Sequence, residues 1–432
     1  MTSKVTYVTL SADENIHPLY ESALERFGRD LDQYHSMYIG DEDIRSDIGE
    51  FENRSPIDIS IIVGHFQTGK REHARMAIEQ AKRSFKLWSK TPWRERVRAM
   101  LKAADLIDER KFDVAAAITY EVGKTRLEAL AEAWEAVDAI RYYAKIMEEN
   151  QGYERKGGLG ATGEDCRIIS KPYGVWAIIS PFNFPFMLAN GMALGALITG
   201  NTIVLKPTSE APLTGLMLYR IYRDAGVPRG AVNYVTGPGM NFEQEFTSNP
   251  DVGGMAFTGS RDVGMRLYRR FLTSQPYPKP MVLEMGSKNP TIVTARGDLE
   301  KAVEGIVRAA YGYGGQKCSA TSRVYVQSNV KAQFLALLKA RVQQLIVGDP
   351  RRREVSVGPL INQSAVERFV RAVEEASNSG GSIVSGGHVL NAGRLPTGYY
   401  VEPTVIVDLP SDHRLFREGL FVPLLVVGEV KT

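Results

Sequence analysis

The residue of this sequence best suited to nucleophilic chemistry is Cys318, one of two cysteines in 432 residues. It sits in Tyr311-Gly-Tyr-Gly-Gly-Gln-Lys-Cys-Ser, a loop of small residues. Tight turns there can aim backbone amides at a thiolate, and the neighbouring Lys317 can favour the ionised form. Taken alone, the loop suits a small buried thiol at least as well. Cys166 has no such setting and reads as a buried thiol. Two distant cysteines in unlike surroundings give neither a disulfide framework nor a cysteine metal site, and no metal is expected.

Two further side chains could serve a thiol. Glu284 ends the apolar run Met281-Val-Leu before Met285-Gly286-Ser287-Lys288-Asn289; an acid there is either a desolvated base or a carboxylate meeting solvent. Asn183 lies in Pro181-Phe-Asn-Phe-Pro185, where aromatic and proline neighbours stiffen it. It is either an oxyanion donor or a turn-forming amide. Phosphate chemistry is suggested by Phe257-Thr-Gly-Ser-Arg-Asp-Val-Gly264, with Gly259, Ser260 and Gly264 where a strand turns into a helix. Lys206-Pro-Thr-Ser209 follows another strand end, where ligands gather in open parallel sheets.

The elements that must position these residues follow from length and periodicity. A chain of 432 residues exceeds a single core. An apolar share of 44%, a charged share of 24% and a net charge of +3 with interspersed signs fit a soluble globular protein. They offer nothing for nucleic acid or an anionic membrane surface. The N-terminus has no signal or transit pattern, so the expected address is cytoplasmic. The apolar stretch 186–205 is broken by Asn190 and by glycines, which suits a buried helix and strand better than a membrane span.

Residues 11–30 and 69–150 read as helical, the latter broken near Thr91-Pro92 and Gly123. Val97, Met100, Leu101, Ala104 and Ile107 share one helix face. Short strands fill 37–66. Beyond a Gly-rich ribbon, strands at 175–180, 202–205, 231–235 and 254–257 alternate with helices at 184–198, 212–225 and 261–271. Apolar strands separated by helices imply an α/β fold with a doubly wound, Rossmann-like parallel sheet. From about Glu284 a second alternating segment begins, with a helix near 331–346.

In this order, Pro181-Phe-Asn-Phe-Pro185, Leu205-Lys-Pro207, Phe257-Thr-Gly-Ser260, Leu283-Glu-Met-Gly286 and Gly315-Gln-Lys-Cys318 resemble the aldehyde dehydrogenase superfamily. The resemblance implies a cofactor domain over 1–151 and 172–283, an oligomerisation ribbon over 152–171 and a catalytic domain over 284–432. By it, Cys318 attacks an aldehyde, Asn183 stabilises the oxyanion of the thiohemiacetal, and Glu284 activates water against the thioester. NAD or NADP would be held by Lys206, Ser209, Gly239, Gly259, Ser260, Gly264, Met285 and Phe421. Ser209 stands where many NAD-preferring relatives carry a glutamate, which leaves room for a 2′-phosphate. Tyr120-Glu-Val-Gly-Lys124 and Gly315-Gln-Lys-Cys-Ser-Ala-Thr-Ser-Arg323 look most like the glutamate semialdehyde (1-pyrroline-5-carboxylate) dehydrogenases of proline catabolism. Ser319, Phe184 and Glu128 would then meet the substrate's carboxylate, aliphatic part and ammonium group, and the protein would be a homo-oligomer.

Three departures set a second expectation beside the first. Gly419 stands where the family's E-x-F-x-P element has the glutamate that holds the nicotinamide ribose. Ser287 replaces a second glycine. The chain ends at Thr432, before the segment that completes the catalytic domain in relatives. The alternative is accordingly a truncated, catalytically silent relative that only binds nucleotide.

Overall fold

The computed structural model describes residues 14–40, 42–158, 163–390, 395 and 397–431. Residues 11–13 of the first expected helix and 159–162 of the expected ribbon lie outside the described residues. The chain divides into two compact units. The first comprises Met1–Asn53, Ile62–Ile118 and Leu130–Glu284, the second Arg54–Ile61, Thr119–Ala129 and Met285–Thr432. The expected boundary at Glu284 is therefore joined by two earlier segments, 54–61 and 119–129, that belong with the C-terminal half. The ribbon groups with the first unit.

The first unit opens with helix α1 (Ile16–Arg29) and strands β1 (Gln33–His35), β2 (Met37–Ile39), β3 (Glu42–Ile44), β4 (Glu50–Arg54) and β5 (Ile62–Gln67). The long helical tract is three helices: α2 (Arg71–Trp88), α3 (Trp93–Val122) and α4 (Arg126–Glu149). The breaks fall at Pro92 and Gly123, as expected where a residue cannot continue a helix. Val97, Met100, Ala104 and Ile107 are all buried. β6 (Glu154–Lys156) and β7 (Arg167–Ile169) form an antiparallel ribbon whose residues are all exposed.

The sheet that follows contains β8 (Val175–Ile179), α5 (Met187–Ile198), β9 (Thr202–Lys206), α6 (Pro212–Asp224), β10 (Val232–Tyr234), α7 (Met240–Ser248), β11 (Val252–Thr258), α8 (Arg261–Ser274) and β12 (Met281–Glu284). Sequence periodicity missed α7. The strand order is β12-β11-β8-β9-β10-β2-β3, parallel from β12 to β10, with β2 and β3 antiparallel. The order runs outward from β8 on one side and resumes at β11 on the other. This creates the crevice at the strands' carboxyl ends where doubly wound sheets take ligands. The apolar stretch 186–205 is buried helix and strand, and no helix among the described residues is long and apolar enough to cross a membrane.

The second unit holds β13 (Asn289–Val293), α9 (Leu299–Tyr311), β14 (Thr321–Gln327), α10 (Lys331–Val342), α11 (Gln363–Asn378), β15 (Ser382–Ser385), β16 (Thr404–Val407) and β17 (Leu424–Val430). Its sheet has the order β13-β14-β17-β16-β15, parallel except for β15. Val307, Tyr311, Val324, Phe334, Leu338 and Leu425 form the core between sheet and helices.

Candidate active site

In the first unit, register aligns the expected residues along one edge. Ile179 pairs with Lys206 and Phe257, and Thr258 with Glu284. Four strand ends therefore stop level, and the loop after each carries one candidate. The loop after β8 holds Asn183, 3% exposed, and the half-buried Phe184. The expected helix from 184 starts only at Met187, because Pro185 and the turn before it are not helical. The Glu132 carboxylate, fully buried, accepts from the Phe186 and Met187 amides at 2.9 and 3.0 Å. It caps α5 and thereby fixes the Asn183 loop. No local signal marks Glu132, since its role depends on a helix more than fifty residues away.

Lys206 ends β9 and is buried, its Nζ donating to the Pro207 and Gly237 carbonyls at 2.7 and 3.2 Å. Burial brings its ammonium down to about 8. Gly239 precedes α7, and a side chain there would stand over Lys206 Cε. Ser209 is half-buried, and its carbonyl accepts from Asn53 Nδ2. Gly259 donates to the Glu284 carbonyl at 3.0 Å. Ser260 caps α8 by accepting from the Val263 amide, and Gly264 is buried within that helix. Glu284 is exposed. The desolvated-base reading is thus corrected to a strand-end carboxylate in contact with solvent. Ser180 Oγ, beside Lys206 at the same edge, is buried with no hydrogen-bond partner.

In the second unit Cys318 and Ser319 lie exposed in the turn after a short 3-10 segment, Gly312–Gly315. The buried-thiol reading of Cys318 does not hold. Cys166, expected to be buried, is also exposed. The residues before the cysteine form a strained turn: Tyr313, Gly314 and Gly315 have φ of 51°, 59° and 70°. A tyrosine in the left-handed region persists only when its surroundings hold it. Tyr313 is 1% exposed, its hydroxyl donates to the Val122 carbonyl at 2.8 Å, and Lys124 Nζ lies 5.0 Å from its ring centre. Gln316 receives the Ile361 amide at 2.9 Å.

The far side of the cysteine turn is held by two residues to which the sequence reading gave no positioning role. Ser287 Oγ and Asn289 Nδ2 both donate to the Cys318 carbonyl, the latter at 2.7 Å. Asn289 also reaches the Ala320 carbonyl at 3.1 Å. A polar pair directly after a strand end was the available signal. Lys317 does not stand free beside the thiol: its Nζ is 2.8 and 2.7 Å from the two Glu128 oxygens. Glu128, read as the partner of a substrate ammonium, already has a cation of this chain.

Met285 is half-buried just before β13, and Phe421 is half-buried with φ of 59°. Gly419 passes so close to the Ser287 carbonyl that a Cβ would stand 2.1 Å from its oxygen. A glutamate there would force this backbone to move. Glu418 pairs instead with Arg414 at 2.8 Å. The two departures noted in sequence therefore touch one another. Among the described residues no group of three or more His, Cys, Asp or Glu is arranged to hold a metal ion.

Comparison with known proteins agrees over nearly the whole length. Residues 44–432 match the aldehyde dehydrogenase family. The chain is 34% identical over 414 residues to 1-pyrroline-5-carboxylate dehydrogenase 1 of Halalkalibacterium halodurans, covering 95% of this chain and 79% of that protein. It is 32% identical over 397 residues to alpha-ketoglutaric semialdehyde dehydrogenase of Bacillus subtilis, covering 91% and 80%. The solved structure of a Thermus 1-pyrroline-5-carboxylate dehydrogenase with bound NAD matches with a TM-score of 0.92 at 32% identity, over 97% of this chain and 80% of that one. This chain belongs to the aldehyde dehydrogenase family.

Proposed function

We propose that the protein oxidises a carboxylated semialdehyde, glutamate semialdehyde in equilibrium with 1-pyrroline-5-carboxylate, to the dicarboxylate in proline catabolism. The observation that carries this is the match to 1-pyrroline-5-carboxylate dehydrogenase over 95% of the chain; Cys318, Glu284 and Asn183 stand in the motifs of this sequence that resemble the family's. The exposed Cys318, on a turn held from both sides, supports a nucleophilic role.

The level strand ends of the first unit fit a dinucleotide. They offer a buried ammonium at Lys206, an unpartnered hydroxyl at Ser180, the Ser209 hydroxyl and free amides at the start of α8. When bound, NAD or NADP supplies the two-electron oxidant. In this reading Cys318 Sγ forms the bond to the aldehyde carbon, while the Asn183 amide and the Cys318 backbone amide donate to the resulting oxyanion. Glu284 takes a proton from the water that cleaves the thioester. Its exposure allows that water to reach it. Gly239, Gly259, Ser260, Gly264, Met285 and Phe421 complete the cofactor contacts, and Phe184 and Ser319 the substrate contacts. Self-association through the β6–β7 ribbon, with Ile168 and Ile169 about half exposed, belongs to the same proposal.

A spectrophotometric screen of semialdehydes with NAD and NADP tests this. Reduced cofactor is expected to form with 1-pyrroline-5-carboxylate, and Cys318→Ser is expected to abolish it. Nucleotide binding with no turnover on any aldehyde would favour a silent nucleotide-binding relative.

A further inference from the structure

The second unit contains a cationic pocket that shares one wall residue, Phe421, with the proposed cofactor contacts and whose charged groups take no part in that chemistry. Its walls are the Ser287–Lys288 turn, Thr321 and Ser322 at the start of β14, and the stretch 419–422. Lys288 has no hydrogen bond or ion pair among the described residues. Burial first, then repulsion from Arg323 and Arg414, brings its ammonium down to about 8. Acids that could balance it are committed elsewhere: Glu375 and Glu418 both bind Arg414, at 3.1 and 2.8 Å. Gly419 adds no side chain to the pocket, and the Ser287 carbonyl excludes one.

Two more donors lack acceptors. Ser322 Oγ and Arg323 Nε are buried with no hydrogen-bond partner. The ladder explains Ser322: Asn289 pairs with Thr321 and Pro290 with Arg323, so Ser322 is the extra residue of a bulge. Bulges re-aim side chains next to functional sites. An ammonium without counter-charge, a buried hydroxyl without a partner and a guanidinium near enough to repel that ammonium share a single deficit. Water would satisfy hydrogen bonds but leave the charge unbalanced. An anionic oxygen supplies both.

We propose that this pocket binds a small oxyanion, the carboxylate or phosphate group of a ligand, held by Lys288 and Ser322 with Arg323 reinforcing the field. The site adjoins the nucleophile. Ser287, on its wall, donates to the Cys318 carbonyl, so occupancy changes the constraint on the cysteine turn.

The full-length protein is titrated with sodium phosphate and with sodium acetate, sodium chloride holding ionic strength constant. Thermal midpoint and the rate of Cys318 alkylation by iodoacetamide are followed. A saturable response to phosphate, acetate or both is expected. Response to one alone identifies its chemistry as that of the natural ligand, and response to both identifies the shared oxyanion. Lys288→Met should weaken the apparent affinity at least tenfold, and Ser322→Ala about fivefold, the worth of one hydrogen bond. In chloride alone, Lys288→Met should be as stable as the wild type or more so, because it removes an unbalanced charge. An equal response to chloride, or an undiminished response in Lys288→Met, overturns the proposal. Should Lys288→Met fail to fold, an unchanged response in Ser322→Ala overturns it.

Discussion

At Cys318 the chain supplies orientation more visibly than charge. The neighbouring cation is neutralised by Glu128, while three left-handed residues and two side-chain donors fix the turn. Tyr313→Phe keeps the ring beneath Lys124 but leaves the Val122 carbonyl without its donor. The expected outcome is a stability loss of about 1–2 kcal/mol, read by urea denaturation, with kcat lowered several-fold and the aldehyde KM unchanged. A kcat equal to the wild type would mean that Ser287 and Asn289 suffice to hold the nucleophile. The residues legible in sequence were those at strand ends, such as Lys206 and Asn183, because a strand followed by a helix locates them without further knowledge. Tyr313 and Glu132 were illegible because each acts on a residue tens of positions away.

The elements themselves were read with uneven success, for a related reason. Alternation of apolar runs and amphipathic helices revealed β8 to α6, whereas α7, short and preceded by Pro238-Gly239, gave too few periodic positions. That β2 and β3 extend the parallel sheet in antiparallel fashion follows from pairing, which composition does not encode. Glycines separate the local from the tertiary contribution. Gly305 lies inside α9 with nothing within 4 Å of a Cβ built there, so Gly305→Ala should stabilise by about 0.5–1 kcal/mol through helix propensity. Gly419→Ala meets the Ser287 carbonyl and should destabilise by at least about 2 kcal/mol, as overpacking does. Paired urea midpoints check both, and an unchanged midpoint for Gly419→Ala would show that the 419–421 loop moves freely.

For the molecule as a whole, buried cations set the response to pH. Lys206 and Lys288 both titrate near 8 when folded but near 10.5 when unfolded. Between these values the unfolded chain binds more protons, so stability rises with pH across that window. Lys206→Met should flatten the rise in urea midpoint between about pH 8 and 10, and an unaltered slope would refute the assignment. Above that window the buried Tyr222 and Tyr311, whose phenols are held protonated by burial, act in the opposite sense. The two-unit division was only half visible in sequence, since segments 54–61 and 119–129 carry no mark of belonging to the C-terminal half. Their membership has a consequence for biosynthesis. As the chain leaves the ribosome, the buried Lys124 and its flanking residues emerge long before Tyr313 and Pro359 exist to cover them. The second unit therefore closes only after Pro359 has been made, and a fragment beginning at Met285 lacks two of its own pieces; expressed alone, it should be recovered soluble only when the N-terminal half is supplied with it.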